Sequence, residues 1–386
     1  MRGIWAVVLA TSACGFSARA RGDGGGGNDS GSGTHDAAPV DAAPDAPPGQ
    51  LCFGTLNLDR VCYPAASVPG GSRAYQGPFT LDLSNPAICT GNANAVAPLP
   101  GDPCIIAYGS ITLTNAQLLI GGSRPVIFLA TGAAGITVDA QSVINVSSIL
   151  GGTGAGALAS CEGTTAAMQK SGGFGGSFLV LGGTGGLGAG DQAADVGVPA
   201  TVLGLPTVLH GGCPGGIGAN NNFTTPNNGG GAVALVAPKV VLDGLVAAGG
   251  DGGYASNTNN AGGNGGGAGG MIMLDSPAIS GSGELDAKGG GGGEGRGGNQ
   301  PTSGAPGYYP ANRFVESFGG ATFNSTGGDG GNGGPRVVNI VMTVDTGGDG
   351  GVGTSAAGGG GGGGAAGLVT ATSTIPGTIT SAPAPQ

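Results

Sequence analysis

Residues 266–293 read GGAGGMIMLDSPAISGSGELDAKGGGGG, a short apolar core from Met271 to Ala287 framed on both sides by glycine. A strand of four to six residues cannot bury a face alone, so this one needs copies of itself to pack on. The chain supplies them. GGGAVALVAPKVVLDGLVAAGGDGG at 229–253 has the same plan: a strand, Ala-Pro in place of Ser-Pro, a second short strand, a third, then Gly-Gly. Pro238 and Pro277 stand at the same offset from the glycines before them. SRPVIFLATGAAGITVDAQSVINVSS at 123–148 is a less regular copy, GGAAGLVTATSTIPGTITSAPAP at 363–385 a closing one, and GPRVVNIVMTVDTGGDGG at 334–351 a partial one.

Repeated short strands rich in Val, Ile and Leu, with alternation at Ile111 and Leu113 and at Val240 and Leu242, predict an all-β fold. Stacked turns of a parallel β-helix bury such strands by laying each inward Val, Ile and Leu over those of the next, at roughly 1.5–3 kcal/mol per fully buried side chain. A sandwich, the main alternative, needs hairpin turns such as Asn-Gly, and none separates these strands. The expected architecture is therefore a right-handed parallel β-helix-like solenoid, with Ala, Gly and Pro at its corners.

Glycine makes up 92 of the 386 residues, far above the roughly 7% of average usage. Because glycine loses most backbone entropy on folding, long tracts of it either stay flexible or pack where only a hydrogen side chain fits. No G-X-Y period runs through the whole chain, which excludes collagen, and the 39% of hydrophobic residues excludes a disordered polymer. The tracts, among them GGTGGLGAGD at 182–191 and the glycine run at 358–364, are expected to leave the corners as excursions. Extended polyglycine II helices, with three residues per turn, would pack side by side since nothing projects between their backbones. Flexible loops are the other reading.

Charge narrows function. With 12 basic against 22 acidic residues and only Lys170, Lys239 and Lys288 as lysines, no basic patch for nucleic acid is expected. The start, MRGIWAVVLATSACGFSARARGDGGGG, places Arg2 before an apolar run from Ile4 to Ala10 and then small residues, the layout of a secretory signal. The run is too short to span a bilayer. Thr11-Ser12-Ala13-Cys14 resembles a bacterial lipobox, with Thr11 where Leu is preferred; the competing reading is cleavage after Ala18-Arg19-Ala20. Lipidation of Cys14 is favoured because a tether follows, Gly/Ser-rich and then Ala/Pro/Asp-rich. The expected organisation is a signal peptide with lipobox-like end at 1–14, a disordered tether at 15–50, a disulfide-bearing segment capping the solenoid at 51–110, and the Gly-rich body at 111–386.

Once Cys14 is set aside, Cys52, Cys62, Cys89, Cys104, Cys161 and Cys213 remain, an even number that in an exported chain reads as disulfides. Sequence neighbours pair Cys52 with Cys62, Cys89 with Cys104 and Cys161 with Cys213. Zinc is the rival reading, but no Cys-x-x-Cys exists and His210 is the only nearby histidine.

Catalysis finds few parts. At this glycine content GxGxxG matches arise by chance, and none sits in a strand-turn-helix unit. Calcium nonapeptides do not fit either: Asp191 is one position off, and Asp251, Asp329 and Asp349 fall in GGDGG, too early for that code. A polysaccharide lyase or hydrolase on a β-helix needs carboxylates together on one face. Asp243, Asp275, Glu284 and Asp286 come nearest, with Glu284 and Asp286 two apart on one strand face, but such acids more often solvate an outer face.

The ordered series CFGTLNLDRVCYP (52–64), CIIAYGSITL (104–113), GSRPVIFLATGAAGITVDA (122–140), LHGGCPGG (209–216) and the opening stretch, behind an exported start and an Asp/Ala/Pro tether, resembles Gly-rich lipoproteins abundant in myxobacteria and related bacteria. Composition also looks superficially like the mycobacterial PE-PGRS proteins, though no PE-type helical N-terminus is present. The resemblance implies a cell-envelope location and carries over no functional residue beyond Cys14. The expectation is an exported protein, held at the outer membrane or cell surface by lipid on Cys14, with a structural, matrix or adhesive role toward extracellular polysaccharide or envelope components. No catalytic residue, metal or cofactor is assigned. The alternatives are a polysaccharide-active enzyme using Asp275, Glu284 or Asp286, and a glycan- or ice-binding module using flat polyglycine surfaces.

Overall fold

The structure is a computed structural model describing residues 49–55, 59–92, 95–96, 99, 101–149, 152–204, 206–222, 225–297, 301–303, 317–321, 326–334, 346–354, 357–376 and 379–382. Cys14, the tether up to residue 48 and most of the partial copy at 334–351 lie outside them. Fourteen strands are described: β1 Gln50–Phe53, β2 Val61–Pro64, β3 Ser72–Asp82, β4 Cys104–Gly121, β5 Val126–Val138, β6 Val143–Asn145, β7 Ala232–Val236, β8 Val240–Leu242, β9 Leu245–Ala247, β10 Met271–Asp275, β11 Ile279–Ser280, β12 Glu284–Asp286, β13 Leu368–Ala371 and β14 Thr380–Ala382. Among the described residues there is no α-helix, and the 3-10 turns have three residues each.

β1 and β2 form an antiparallel hairpin with Cys52 opposite Cys62. Strands β3 to β14 make one parallel, twelve-stranded sheet ordered β13-β10-β7-β5-β4-β6-β9-β12-β14, with β3 on β4, β8 on β5 and β11 on β8. Its path folds back toward itself into a nearly closed, barrel-like wall. The register matches the sequence copies: Val126 lies beside Val233, Val233 beside Ile272 and Ile272 beside Val369. On the opposite wall Leu118, Ile144, Val246 and Leu285 stack in the same way. Parallel pairing in the copy order is what the repeat predicts. β4 runs unbroken through residue 110, so the disulfide-bearing segment and the Gly-rich body share a strand.

One core fills the space inside the wall, with Phe128, Leu235, Leu274, Ile111, Val138 and Leu285 buried there. A second lies on the outer face of the first strands of each copy, where Ile127, Met271, Met273 and Val236 meet Val61 and Tyr63 of the hairpin and Phe178, Leu209 and Ala268 of the excursions. Burial on both faces explains why VIFLA, AVALV and MIML show no alternation. On β3, which pairs with β4, Tyr75 packs against Phe79, ring centroids 5.6 Å apart, with the Arg73 guanidinium over Tyr75.

Three excursions, 146–231, 248–270 and 287–367, leave after a third strand and return before a first strand, so their glycines gather in one place. There they form a hydrogen-bonded layer with a period of three. From the run at 358–365, residues 359, 362 and 365 donate to Lys170, Gly173 and Gly176; 360 and 363 donate to Gly351 and Gly348; 358, 361 and 364 donate to Arg296, Gly293 and Gly290. Their carbonyls accept, in the same three directions of rotation, from Gly263, Gly266 and Gly269, from Gly186 and Gly183, and from Gly328, Gly331 and Gly334. Six neighbouring segments thus surround one, through bonds of 2.7–3.1 Å. Three residues per turn without internal hydrogen bonds is the polyproline II geometry. Contact is close enough that a Cβ on Gly361 would lie 2.0 Å from the Asn264 carbonyl oxygen, and one on Gly363 2.0 Å from that of Asn332.

Gly361→Ala should therefore lose about 2 kcal/mol or more through backbone overpacking, read as a lower urea midpoint at unchanged slope. Gly70→Ala, where an added methyl meets nothing within 4 Å, should stay within about 0.5 kcal/mol of the parent.

Candidate functional site

The four acids singled out by the sequence do not converge on a cleft; three are absorbed into the body. Asp275 is buried at the end of β10 and accepts from Thr372 Oγ1 at 2.8 Å, from Thr55 Oγ1 at 3.0 Å and from the Thr55 backbone N–H. It ties the residues after β1 to two successive copies. Asp243 accepts from Ser282 N–H at 3.0 Å and Ser282 Oγ at 3.2 Å, joining two corners.

Glu284 and Asp286 flank Leu285, whose side chain enters the inner core, so they share the opposite face of β12. Asp286 is 2% and Glu284 8% exposed. This corrects the expectation that these acids solvate an outer face, because both side chains are buried although they lie on the side of β12 away from the inner core. Asp286 Oδ2 lies 3.3 Å from Lys288 Nζ, itself 2% exposed. Burial pushes the Asp286 carboxyl up to about 7, against the opposing pull of the Lys288 charge.

Other motif residues also have structural duties. His210 packs on Phe178 with Nδ1 2.7 Å from the Gly211 carbonyl, and Cys213 is bonded to Cys161, which removes the zinc reading. The other disulfides are Cys52–Cys62 and Cys89–Cys104. Three disulfides fit an oxidising, extracytoplasmic compartment. Among the described residues no three His, Cys, Asp or Glu side chains are grouped to hold a metal, and no helix is long and apolar enough to cross a membrane.

Two surface features remain. A cleft of about 500 Å³ has Leu81, Leu119, Ile120 and Ile149 as its apolar lining, with Asp82 and Thr153 among its polar residues. The other is a face of the glycine layer; a flat polyglycine surface is among the sequence expectations, but the rows of side chains on it are not. Their signal is the local G-G-x triplet in LGGTGGL (181–187), TGGDGGV (346–352) and TGGDGGN (326–332). Period three aligns every x residue along one edge of its segment. Gly347, Gly350 and Gly353 donate to the carbonyls of Leu181, Thr184 and Leu187, and Gly348, Gly351 and Thr354 to those of Asn332, Asp329 and Thr326. Three rows therefore lie side by side.

Val352 is 62% and Leu181 44% exposed, and Thr346, Asp349 and Asp329 are exposed with them. Asp349 Oδ1 accepts from Thr184 N–H at 2.8 Å and Thr184 Oγ1 at 2.9 Å, which links two rows and fixes the carboxylate. The Asp329 carboxyl is raised, first by partial burial and then by the charge of Glu294. No family model, curated protein or solved structure matches the chain.

Asp286 carries a pH prediction. Its native value of about 7 lies above its ordinary 3.8, so the native state holds the proton more tightly than the unfolded chain. The associated stability is complete below pH 4 and is lost as pH rises to about 7. Asp286→Asn should flatten the dependence of the urea midpoint on pH across that window.

Proposed function

We propose that this is an exported, non-catalytic protein of the cell envelope, held to a membrane by lipid on Cys14 and presenting a rigid glycine slab as a structural, matrix or adhesive element. In this reading the body is a right-handed parallel β-helix, its copies stacked as successive coils, and the excursions form a polyglycine II bundle. The observation that carries the proposal is the layer itself: a segment bonded to six neighbours through its own backbone is held as a fixed scaffold, which suits a structural or adhesive element. The fate of the acids supports it. Asp275, Asp243 and Asp286 are engaged by Thr55 and Thr372, by Ser282 and by Lys288, and a group so held is positioned to join segments. The disulfides and the resemblance to Gly-rich envelope lipoproteins agree with the address.

Cell fractionation tests the anchor. The parent chain should sediment with membranes and be cleaved by protease added to intact cells, whereas Cys14→Ser should move to the soluble extracytoplasmic fraction. Membrane retention of Cys14→Ser would refute the lipid anchor, and protection of the parent from external protease would refute surface display.

A further inference from the structure

The three rows on the glycine layer have a geometry imposed by their backbone. A side chain projects only at every third residue, and at about 3.1 Å rise per residue successive side chains of one row stand about 9 Å apart. Glycine backbone lies between them. A small ligand needs a concave site, and a compact protein partner a packed apolar centre; this face offers neither. It offers the same interval again and again along one direction, which suits a partner that is itself extended and periodic.

Chemistry along the rows narrows the partner. Leu181 and Val352 present apolar surface, while Thr184, Thr346, Asp349 and Asp329 present hydroxyls and carboxylates. A sugar polymer has the matching alternation, with C–H faces on its rings and hydroxyls at their edges, and its extended β-linked form repeats every two rings at an interval close to this spacing. Asp349 is prepared for a hydroxyl. Both donors from Thr184 fall on Oδ1, so among the described residues Oδ2 is left to accept from a ligand. The charge selects further: the rows contain Asp329 and Asp349 and no Lys or Arg, so a uronic or sulfated polymer would be repelled.

We propose that this face binds a neutral, extended, β-linked polysaccharide laid along the glycine rows. The envelope reading supplies only the place where such a polymer would be met, and binding is measured independently of it, on the purified full chain.

The chain is incubated with insoluble cellulose, chitin and mannan, and with immobilised polygalacturonate as the acidic counterpart. At least one neutral polymer should retain the parent, and polygalacturonate should not. Val352→Glu and Asp349→Asn should each weaken retention at least tenfold at unchanged urea midpoint, while Val96→Glu, at an exposed site on the N-terminal segment, should bind as the parent does. Retention by none of the neutral polymers, equal retention of Val352→Glu, or equal binding to polygalacturonate would each overturn the proposal. So would light scattering showing that Val352→Glu abolishes a dimer in place of glycan binding, or inhibition of ice growth without glycan retention. Glycan binding that persists in Cys14→Ser, together with membrane retention of that variant, would sink the anchor and leave this proposal standing.

Discussion

The structure rests on backbone hydrogen bonds between glycines that approach one another with no side chain between them. Glycine pays the largest entropy cost on ordering, and a single amide bond returns only about 1 kcal/mol net. Two conditions let the layer form in spite of this. Donors and acceptors turned through three directions per turn are satisfied by lateral neighbours, so burial strands no polar group. Backbones in contact along their length also gain dispersion that a longer side chain would forfeit. Both conditions fail together if one segment is displaced, since Gly360 alone bonds to Gly351 and Gly186.

The segments that meet in the layer come from three different excursions, so it depends on the sheet to bring them together. Parallel register sets the depth at which each excursion starts. Ala248 N–H bonds the Asp286 carbonyl and Gly250 N–H that of Lys288, carrying the ladder of β9 and β12 directly into glycine. The Cys161–Cys213 disulfide spans 52 residues of the longest excursion, and a closure of that length removes roughly 4 kcal/mol of unfolded-state entropy in the chain-entropy model. The buried Asp286–Lys288 pair sits at the same junction, where the apolar wall gives way to polar backbone. A buried pair of this kind stabilises little against an apolar replacement, because the desolvation of both charges offsets their attraction.

Much of the fold was legible because the same three short strands recur with Pro238 and Pro277 at one offset, and parallel stacking is the economical way to bury them. β4 was harder to read as a copy, since its eighteen residues run as one strand with no glycine tract to mark its ends. The acids were misread for a physical reason: from Glu284, Leu285 and Asp286 alone, alternation separates an inward from an outward face, and an outward face is normally wet. Here both acids are buried, and burial set by the packing of the whole chain is something no local pattern encodes. The rows do not show as a period of the whole chain, because the triplet holds only inside tracts such as 326–332 and 346–352.

The same triplet limits what the layer can do. Two side chains of one row are about 9 Å apart, beyond the reach over which an acid and a base exchange a proton. Only neighbours in adjacent rows touch, as Thr184 and Asp349 do. Catalysis requires several groups converging on one atom, and this lattice spaces them evenly. Evenly spaced weak contacts gain affinity when the partner repeats as well, because each contact after the first is made within an already bound polymer. The constraint that excludes side chains from the interior of the layer thus also sets the spacing of those on its surface.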